Sequence, residues 1–156
     1  MEYQRFGNQY VLKLDPGEEV MSALVNFASS ENIRGGYFMA FGAFSKVKLR
    51  YFDVQSDQYK DHELDQQVEV VSLMGNIALV DGHPMIHMHT AVADGQNRTY
   101  SGHIGMGIVR PTLELFLTRL DGEIHRTKDP ETGLELLDLP HSTEGRQGKE
   151  QQKKAA

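Results

Sequence analysis

Histidines are concentrated in one short stretch of this chain. Four of the seven lie in GHPMIHMHTAVADGQNRTYSGH, residues 82–103, and His87 and His89 form a His-x-His pair. Neutral imidazole is a good ligand for zinc and several other divalent metals. The stretch leaves two interpretations open, a metal site or a hydrogen-bonded histidine cluster at a subunit interface.

Strand periodicity predicts the face on which these histidines lie. If residues 85–92 and 99–108 are strands, successive side chains alternate between two faces. Alternate positions form an apolar face in each segment: Ile86, Met88, Thr90 and Val92 in the first, and Tyr100, Ile104, Met106 and Ile108 in the second. His87, His89 and His103 therefore fall on the opposite, non-core faces.

The turn between the two segments decides their register. Matching the apolar faces requires paired residue numbers with an even sum, which a two-residue Asp94-Gly95 turn does not give. A three-residue loop, Gly95-Gln96-Asn97, satisfies the condition and pairs His89 with His103 and His87 with Gly105. The apolar pattern therefore predicts that His87, His89 and His103 come together.

These three histidines are the predicted metal ligands. Residues two apart in a strand are separated by about 6.6 Å, which two imidazoles can close around one ion. Three histidines and a water form the usual ligand set of an open zinc site, so zinc is the first choice of divalent metal, although iron, manganese and nickel accept the same ligands. His83 lies about 13 Å from His87 along the strand and is left out.

Small residues surround His103 in the sequence. Ser101, Gly105 and Gly107 share its predicted face, which predicts open space for a water, an anion or a small ligand.

One helix and several strands must position this site. LDPGEEVMSALVNFASSENIRGG predicts an amphipathic helix at about residues 16–33, with Asp15 as N-cap and Gly35-Gly36 as the stop. Six segments rich in β-branched or aromatic residues predict strands: GYFMAFGAF, KVKLRYFDV, QVEVVSLMGNIALV, PMIHMHTAV, RTYSGHIGMGIV and TLELFLTRL. The predicted fold is α+β, a mostly antiparallel sheet of about six to seven strands with one main helix.

Composition limits the classes of function. A net charge of −6 argues against unaided electrostatic binding to nucleic acid. The chain has no cysteine, which excludes disulfides and thiolate metal ligands. No apolar run approaches the roughly 20 residues of a membrane span, and the N-terminus lacks a signal-peptide layout, so we expect a cytoplasmic protein with no membrane partner.

Residues 1–140 are predicted to form a single domain with a short packed element at GLELLDL, and 141–156 a disordered polar tail.

Several motifs, in order, resemble the PPC (plants and prokaryotes conserved) domain family between about Tyr10 and Leu139. They are LDPGEEVMSAL, FGAFSKVKLRYFD, HMHTAVADGQNRTYSGH and VRPTLELFLTRL. The resemblance implies a homotrimer whose histidines, here His87, His89 and His103, line a cleft that can hold a metal. This chain departs from the family pattern at Ser101, where the family has Gly-Gly-His, and at Met106, where a glutamate is often found.

Two classes of function remain. The resemblance implies a DNA-associated regulator or oligomerisation module, but the chain has no Arg-Gly-Arg-Pro hook. The only local basic cluster in the part of the chain predicted to be ordered is Arg34, Lys46, Lys48 and Arg50, which is typical of a solvated strand edge. The alternative is a metal-dependent binder of small molecules, for which Glu114 is a weak candidate acid or base. No nucleophile elbow or phosphate loop is present, so the sequence does not assign an enzymatic activity.

Overall fold

The computed structural model describes residues 1–140, and the predicted polar tail lies outside the described residues. One helix and nine strands form in this part of the chain: β1 (Glu2–Phe6), β2 (Gln9–Leu14), α1 (Val20–Ser30), β3 (Gly36–Asp53), β4 (Gln58–Leu64), β5 (Val68–Val80), β6 (His83–Ala93), β7 (Thr99–Arg119), β8 (His125–Lys128) and β9 (Glu135–Asp138). The α+β class, the mostly antiparallel sheet and the single helix are confirmed. No helix among residues 1–140 is long and apolar enough to span a membrane.

The predicted count of six to seven strands is too low. Two pairs of predicted strands are continuous, because GYFMAFGAF runs into KVKLRYFDV as β3 and RTYSGHIGMGIV runs into TLELFLTRL as β7. The sequence analysis missed β1, β2, β4 and β8 as strands, and predicted β9 only as a short packed element. β1, β4, β8 and β9 are short and largely exposed, so they lack the apolar run on which the prediction depended. β2 differs, because its alternate residues Tyr10, Leu12 and Leu14 are fully buried and their alternation was overlooked.

Four strands pair in a closed circuit that positions the histidines. β3 pairs with β5, β5 with β6, β6 with β7, and β7 returns to β3. The first half of β7 therefore lies between β6 and β3, while its second half lies between β3 and β2. All of these pairs are antiparallel, and within residues 1–140 the one parallel contact joins β5 to β8 at Leu79 and His125.

The core lies between α1 and the sheet. Four helix residues are buried there, Val20, Leu24, Phe27 and Ala28, as the helical spacing predicts. The predicted core face of β6 is also confirmed, since Ile86, Met88, Thr90 and Val92 are each at most 5% exposed. The opposite face of β6 carries His87 and His89.

The helix is shorter than predicted at both ends. Residues Asp15 to Glu18 form a turn in which the Glu18 amide donates to the Asp15 carbonyl oxygen, and Gly17 has a φ of 89°. Glu19, rather than Asp15, is the N-cap, and its carboxylate accepts hydrogen bonds from the amides of Met21 and Ser22. Side-chain bonds of this kind satisfy amides that the first helical turn leaves unpaired.

The helix also ends before the predicted Gly35-Gly36 stop. Its last residue is Ser30, and Asn32 adopts a left-handed φ of 50°. Asparagine tolerates this region better than most side chains, so the chain turns at Asn32. Gly35 then precedes β3, and Gly36 is its first residue.

A β-bulge in β7 reverses the predicted alternation beyond His103. Leu49 pairs with Ile104 and Lys48 with Met106, which leaves Gly105 as the extra residue. After the bulge Gly107 and Val109 are buried, and Met106 and Ile108, which were predicted to face the core, are only partly buried. The predicted alternation is right through Ile104, which is fully buried, and wrong after the bulge at Gly105.

One face of the sheet is apolar and exposed. We call it the outer patch, and its members are Tyr37, Met39, Phe41, Met74 and Phe116, which are 45–60% exposed. Met39 pairs with Met74 on one side and with Phe116 on the other. Because Met74 also pairs with His89, the outer patch extends directly to the histidines.

Candidate metal centre

The three predicted histidines converge in the structure. His89 and His103 are directly opposite each other in the β6–β7 pair, and the ring centroid of His87 lies 5.2 Å from that of His89 and 5.1 Å from that of His103. The pairing of β6 with β7 stops at His89 and His103, so the predicted pairing of His87 with Gly105 does not form. His87 is instead opposite Asn76 of β5, and its ring reaches the cluster from there.

The hairpin that sets this register contains the predicted three-residue loop. The Asp94 amide donates to the Arg98 carbonyl oxygen, and the Asn97 amide donates to the Asp94 carbonyl oxygen. Asn97 has a φ of 60°, the left-handed position that closes a loop of this kind. The carboxylate of Asp94 accepts bonds from the amides of Gln96 and Arg98, which fixes the loop locally.

The spacing of the three rings fits a single metal ion. One ligand nitrogen from each ring lies within 4.8 Å of the others, and the Nε2 atoms of His87 and His89 are 3.2 Å apart. Nitrogen ligands on a tetrahedral zinc ion are about 3.3 Å from one another. The spacing of His87 and His89 is close to this value, and a nitrogen of His103 lies within 4.8 Å of both.

The environment keeps two of the rings neutral, which is the form that binds metal. The pKa of His103 is lowered to about 4, first by burial and then by the neighbouring His87, His89 and Arg50. Burial, and next the Arg126 charge, also lower the pKa of His87.

The glycines near His103 do not leave open space, contrary to the prediction. A Cβ atom at Gly105 would lie 2.9 Å from Nε of Arg50, and one at Gly107 would lie 3.0 Å from Cζ of Phe44 in the core. Arg50 also lies over the ring of Tyr59, which is 5.6 Å from the His103 ring. Neighbouring side chains therefore occupy the space beside both glycines. The concave space next to the cluster lies over the outer patch, with a volume of about 680 Å³ and with His87 and His89 in its wall.

Two polar residues at the site were not found by the sequence analysis. The guanidinium of Arg126 on β8 donates from Nη2 to Nδ1 of His87 at 3.2 Å and to Oδ1 of Asn76 at 2.9 Å. Asn76 could have been noticed as the one amide in an otherwise apolar run, LMGNIALV. No sequence signal points to Arg126, because its strand is only four residues long.

Glu114 does not belong to the histidine cluster. It pairs with Phe41 and Lys13 in the second half of β7. This half of β7 pairs with β2 and β3, whereas β6 pairs only with the first half, up to His103. The structure therefore does not bring the candidate acid or base into the group of converging histidines.

The basic cluster of the sequence is neutralised by β4. Lys46 pairs with Glu63 and Asp65, and Arg50 pairs with Asp61 at 3.0 Å. Lys48 lies 3.7 Å from the same Asp61, and Arg34 pairs with Glu123 on another loop. Since β3 is covered here by β4, these residues do not form the solvated strand edge that was predicted, and they offer little free positive charge.

The fold and the site together define a class of protein. It is an α+β domain with four strands in a closed circuit and a histidine cluster on its outer surface. The model of the Plants and Prokaryotes Conserved (PCC) domain matches residues 1–121, and the chain belongs to this family. The resemblance noted from the sequence is confirmed, although the matched range ends before β8 and β9.

Solved structures and curated proteins are also similar to this chain. A "putative DNA binding protein" from Bacteroides thetaiotaomicron has a TM-score of 0.85 and 27% identity, with 88% of this chain and 96% of that chain covered. A metal-containing protein from Archaeoglobus fulgidus has a TM-score of 0.79 and 30% identity, with 88% and 97% covered. The bifunctional protein GlmU of Synechococcus sp. (strain JA-3-3Ab) is 36% identical over 131 residues. That match covers 81% of this chain, which spans about a fifth of the length of the curated relatives it matches.

Proposed function

We propose that residues 1–140 form a self-associating domain that binds one divalent metal ion, with zinc as the first choice, through His87, His89 and His103. The observation that carries the proposal is the convergence of three imidazoles from two paired strands, with ligand nitrogens within 4.8 Å of one another. The metal-containing relative from Archaeoglobus fulgidus supports it.

Three protein ligands leave at least one position on the metal for water, an anion or a small ligand. A zinc ion held in this way supplies Lewis acidity and lowers the pKa of a bound water. Among residues 1–140, the group of possible ligands contains only the three histidines and no carboxylate. We therefore propose binding of a metal and a small ligand, and assign no reaction to the site.

Elemental analysis of untagged protein tests the metal site. Wild-type protein should contain one equivalent of metal per subunit, and His89→Ala should contain almost none, because the replacement leaves the core face of β6 intact. His83→Ala is the matched control, since His83 is an exposed histidine of the same strand outside the cluster. Near-zero metal in all three proteins after incubation with excess zinc would exclude the proposed site.

We also propose that a second copy of the chain covers the outer patch, in a homotrimer as the family resemblance implies. A contiguous exposed apolar surface of this kind is typical of an interface. The outer patch is continuous with His89 through Met74, so self-association would bring a neighbouring subunit to the edge of the metal site.

DNA-associated regulation is the alternative, and the description of the Bacteroides relative favours it. Against it are the net charge of −6 and the pairing of Lys46, Lys48 and Arg50 with β4 carboxylates. We expect the protein to bind random duplex DNA no better than other acidic proteins at physiological salt. Tight binding to a defined sequence in a gel-shift assay, weakening with added salt, would establish the alternative.

A further inference from the structure

Arg126 connects the candidate metal centre to the β8–β9 hairpin, which lies outside the range matched by the family model. Its Nη1 atom donates to the carbonyl oxygen of Glu135 at 2.6 Å, and its Nη2 atom donates to Asn76 Oδ1 and His87 Nδ1. The guanidinium is therefore fixed at three acceptors contributed by β9, β5 and β6.

The burial of Arg126 makes this placement unusual. The residue is only 7% exposed, and no carboxylate among residues 1–140 lies within ion-pair distance of it. Its Nε atom is buried with no hydrogen-bond partner. Burying an isolated charge destabilises a fold. An uncharged side chain in this place could connect the strands at a lower cost in folding free energy.

The contact with His87 determines where the imidazole proton lies. Arginine can only donate hydrogen bonds, so His87 Nδ1 must accept and cannot carry a proton. In the neutral ring the single proton is then on Nε2, which lies 3.2 Å from Nε2 of His89. The metal-free site thus contains a directional chain in which Arg126 donates to His87 and His87 donates to His89.

We infer that Arg126 holds His87 in a tautomer that competes with metal binding. The inference rests on the proposed metal site. The His87 nitrogen that faces His89 is Nε2, and metal ligation through it requires the ring proton on Nδ1. A protonated Nδ1 would face the Arg126 donor, so the two contacts are mutually exclusive. Arg126 is a positioning residue: His87 becomes the third ligand only when Arg126 withdraws, which couples metal occupancy to the β8–β9 hairpin.

Nitrogen-15 NMR of the metal-free full chain tests the tautomer directly. The expected result is a His87 ring protonated at Nε2 in wild type, and a shift toward the Nδ1-protonated form in Arg126→Met, which has no donor. Lys128→Met is the control, because Lys128 is an exposed residue of the same strand and should leave the spectrum unchanged. A wild-type His87 protonated at Nδ1 would overturn the inference.

Zinc titration by calorimetry tests the competition. Arg126→Met should bind zinc about tenfold more tightly than wild type or Lys128→Met, the usual scale of effects from residues that contact a ligand ring. Zinc added to wild type should also shift the Arg126 side-chain and β8–β9 amide signals, a readout that does not depend on a variant folding.

The outcomes separate this inference from the proposed function. Zinc binding by wild type with no gain in Arg126→Met, or with an unmoved hairpin, overturns the competition and leaves the metal site. No zinc binding by any of the three proteins, with the Nε2-protonated tautomer observed, overturns the metal site and the competition together.

Discussion

His89 and His103 are directly opposite each other across β6 and β7, with ring centroids 5.3 Å apart. Two local features produce this relationship, the alternation of apolar residues along β6 and the three-residue loop that ends at Asn97. Because a shift of one residue would move every side chain to the other face, the loop is as important to the candidate site as the histidines are.

Position 97, where the loop backbone is in the left-handed region, should accept glycine but not a side chain branched at Cβ. Asn97 has a φ of 60°, which costs a side chain with a branched Cβ about 1–2 kcal/mol. We expect Asn97→Val to lower the free energy of unfolding by about that amount and Asn97→Gly to be nearly neutral. Denaturant titration measures both variants, and equal stability for the two would show that the loop does not require this conformation.

Asp94 should stabilise the hairpin in a pH-dependent way. Burial raises the pKa of its carboxyl, but hydrogen bonds from the Arg98 side chain and from the Arg98 and Gln96 amides outweigh burial and leave the pKa lowered. A lowered pKa in the folded state gives stability that is present above the unfolded value of 3.8 and is lost as the pH falls through the folded pKa.

Asp94→Asn should therefore unfold at lower denaturant concentration than wild type at pH 7, and the difference should shrink as the pH falls below 3.8. Exposed Asp57→Asn is the control and should behave like wild type throughout. A difference between Asp94→Asn and wild type that stayed constant down to acidic pH would mean that the carboxylate charge is unimportant.

The outer patch should mediate self-association. Met39 lies at the centre of the outer patch and is 60% exposed. A charge placed in a buried apolar interface is strongly unfavourable. We expect wild type to have the mass of a trimer in light scattering and Met39→Lys to have the mass of a monomer. Val54→Lys, at a position 72% exposed in the β3–β4 turn, should remain trimeric. A monomeric wild type would exclude the proposed assembly.

Close packing around Gly75 should make any side chain there costly. Gly75 lies opposite Met88 in β6, and a Cβ atom would approach the His87 carbonyl oxygen and lie 2.5 Å from Cζ of Phe38. We expect Gly75→Ala to destabilise the fold by about 1–3 kcal/mol. Gly95→Ala should be nearly neutral, because nothing lies within 4 Å of a Cβ atom there. Thermal unfolding of the two variants compares them, and similar melting temperatures would contradict the packing argument.

The sequence by itself determined the local parts of this molecule. Alternation along residues 85–92 predicted the buried face of β6, helical spacing predicted the buried stripe of α1, and the even register predicted the pairing of His89 with His103. These predictions succeed because side-chain periodicity and turn length act over a few residues and leave their pattern in the sequence.

Tertiary structure decided what depends on contacts between distant segments. The bulge at Gly105 forms just beyond His103, where the pairing of β7 with β6 ends and its pairing with β3 continues, and the space that Gly105 was predicted to leave open is occupied by Arg50. Arg126 reaches His87 from a strand 39 residues away, and β4 brings the carboxylates that neutralise Lys46 and Arg50. The apolar periodicity of the sequence does not indicate such contacts. They arise only when the closed circuit of strands brings separate segments to the same place.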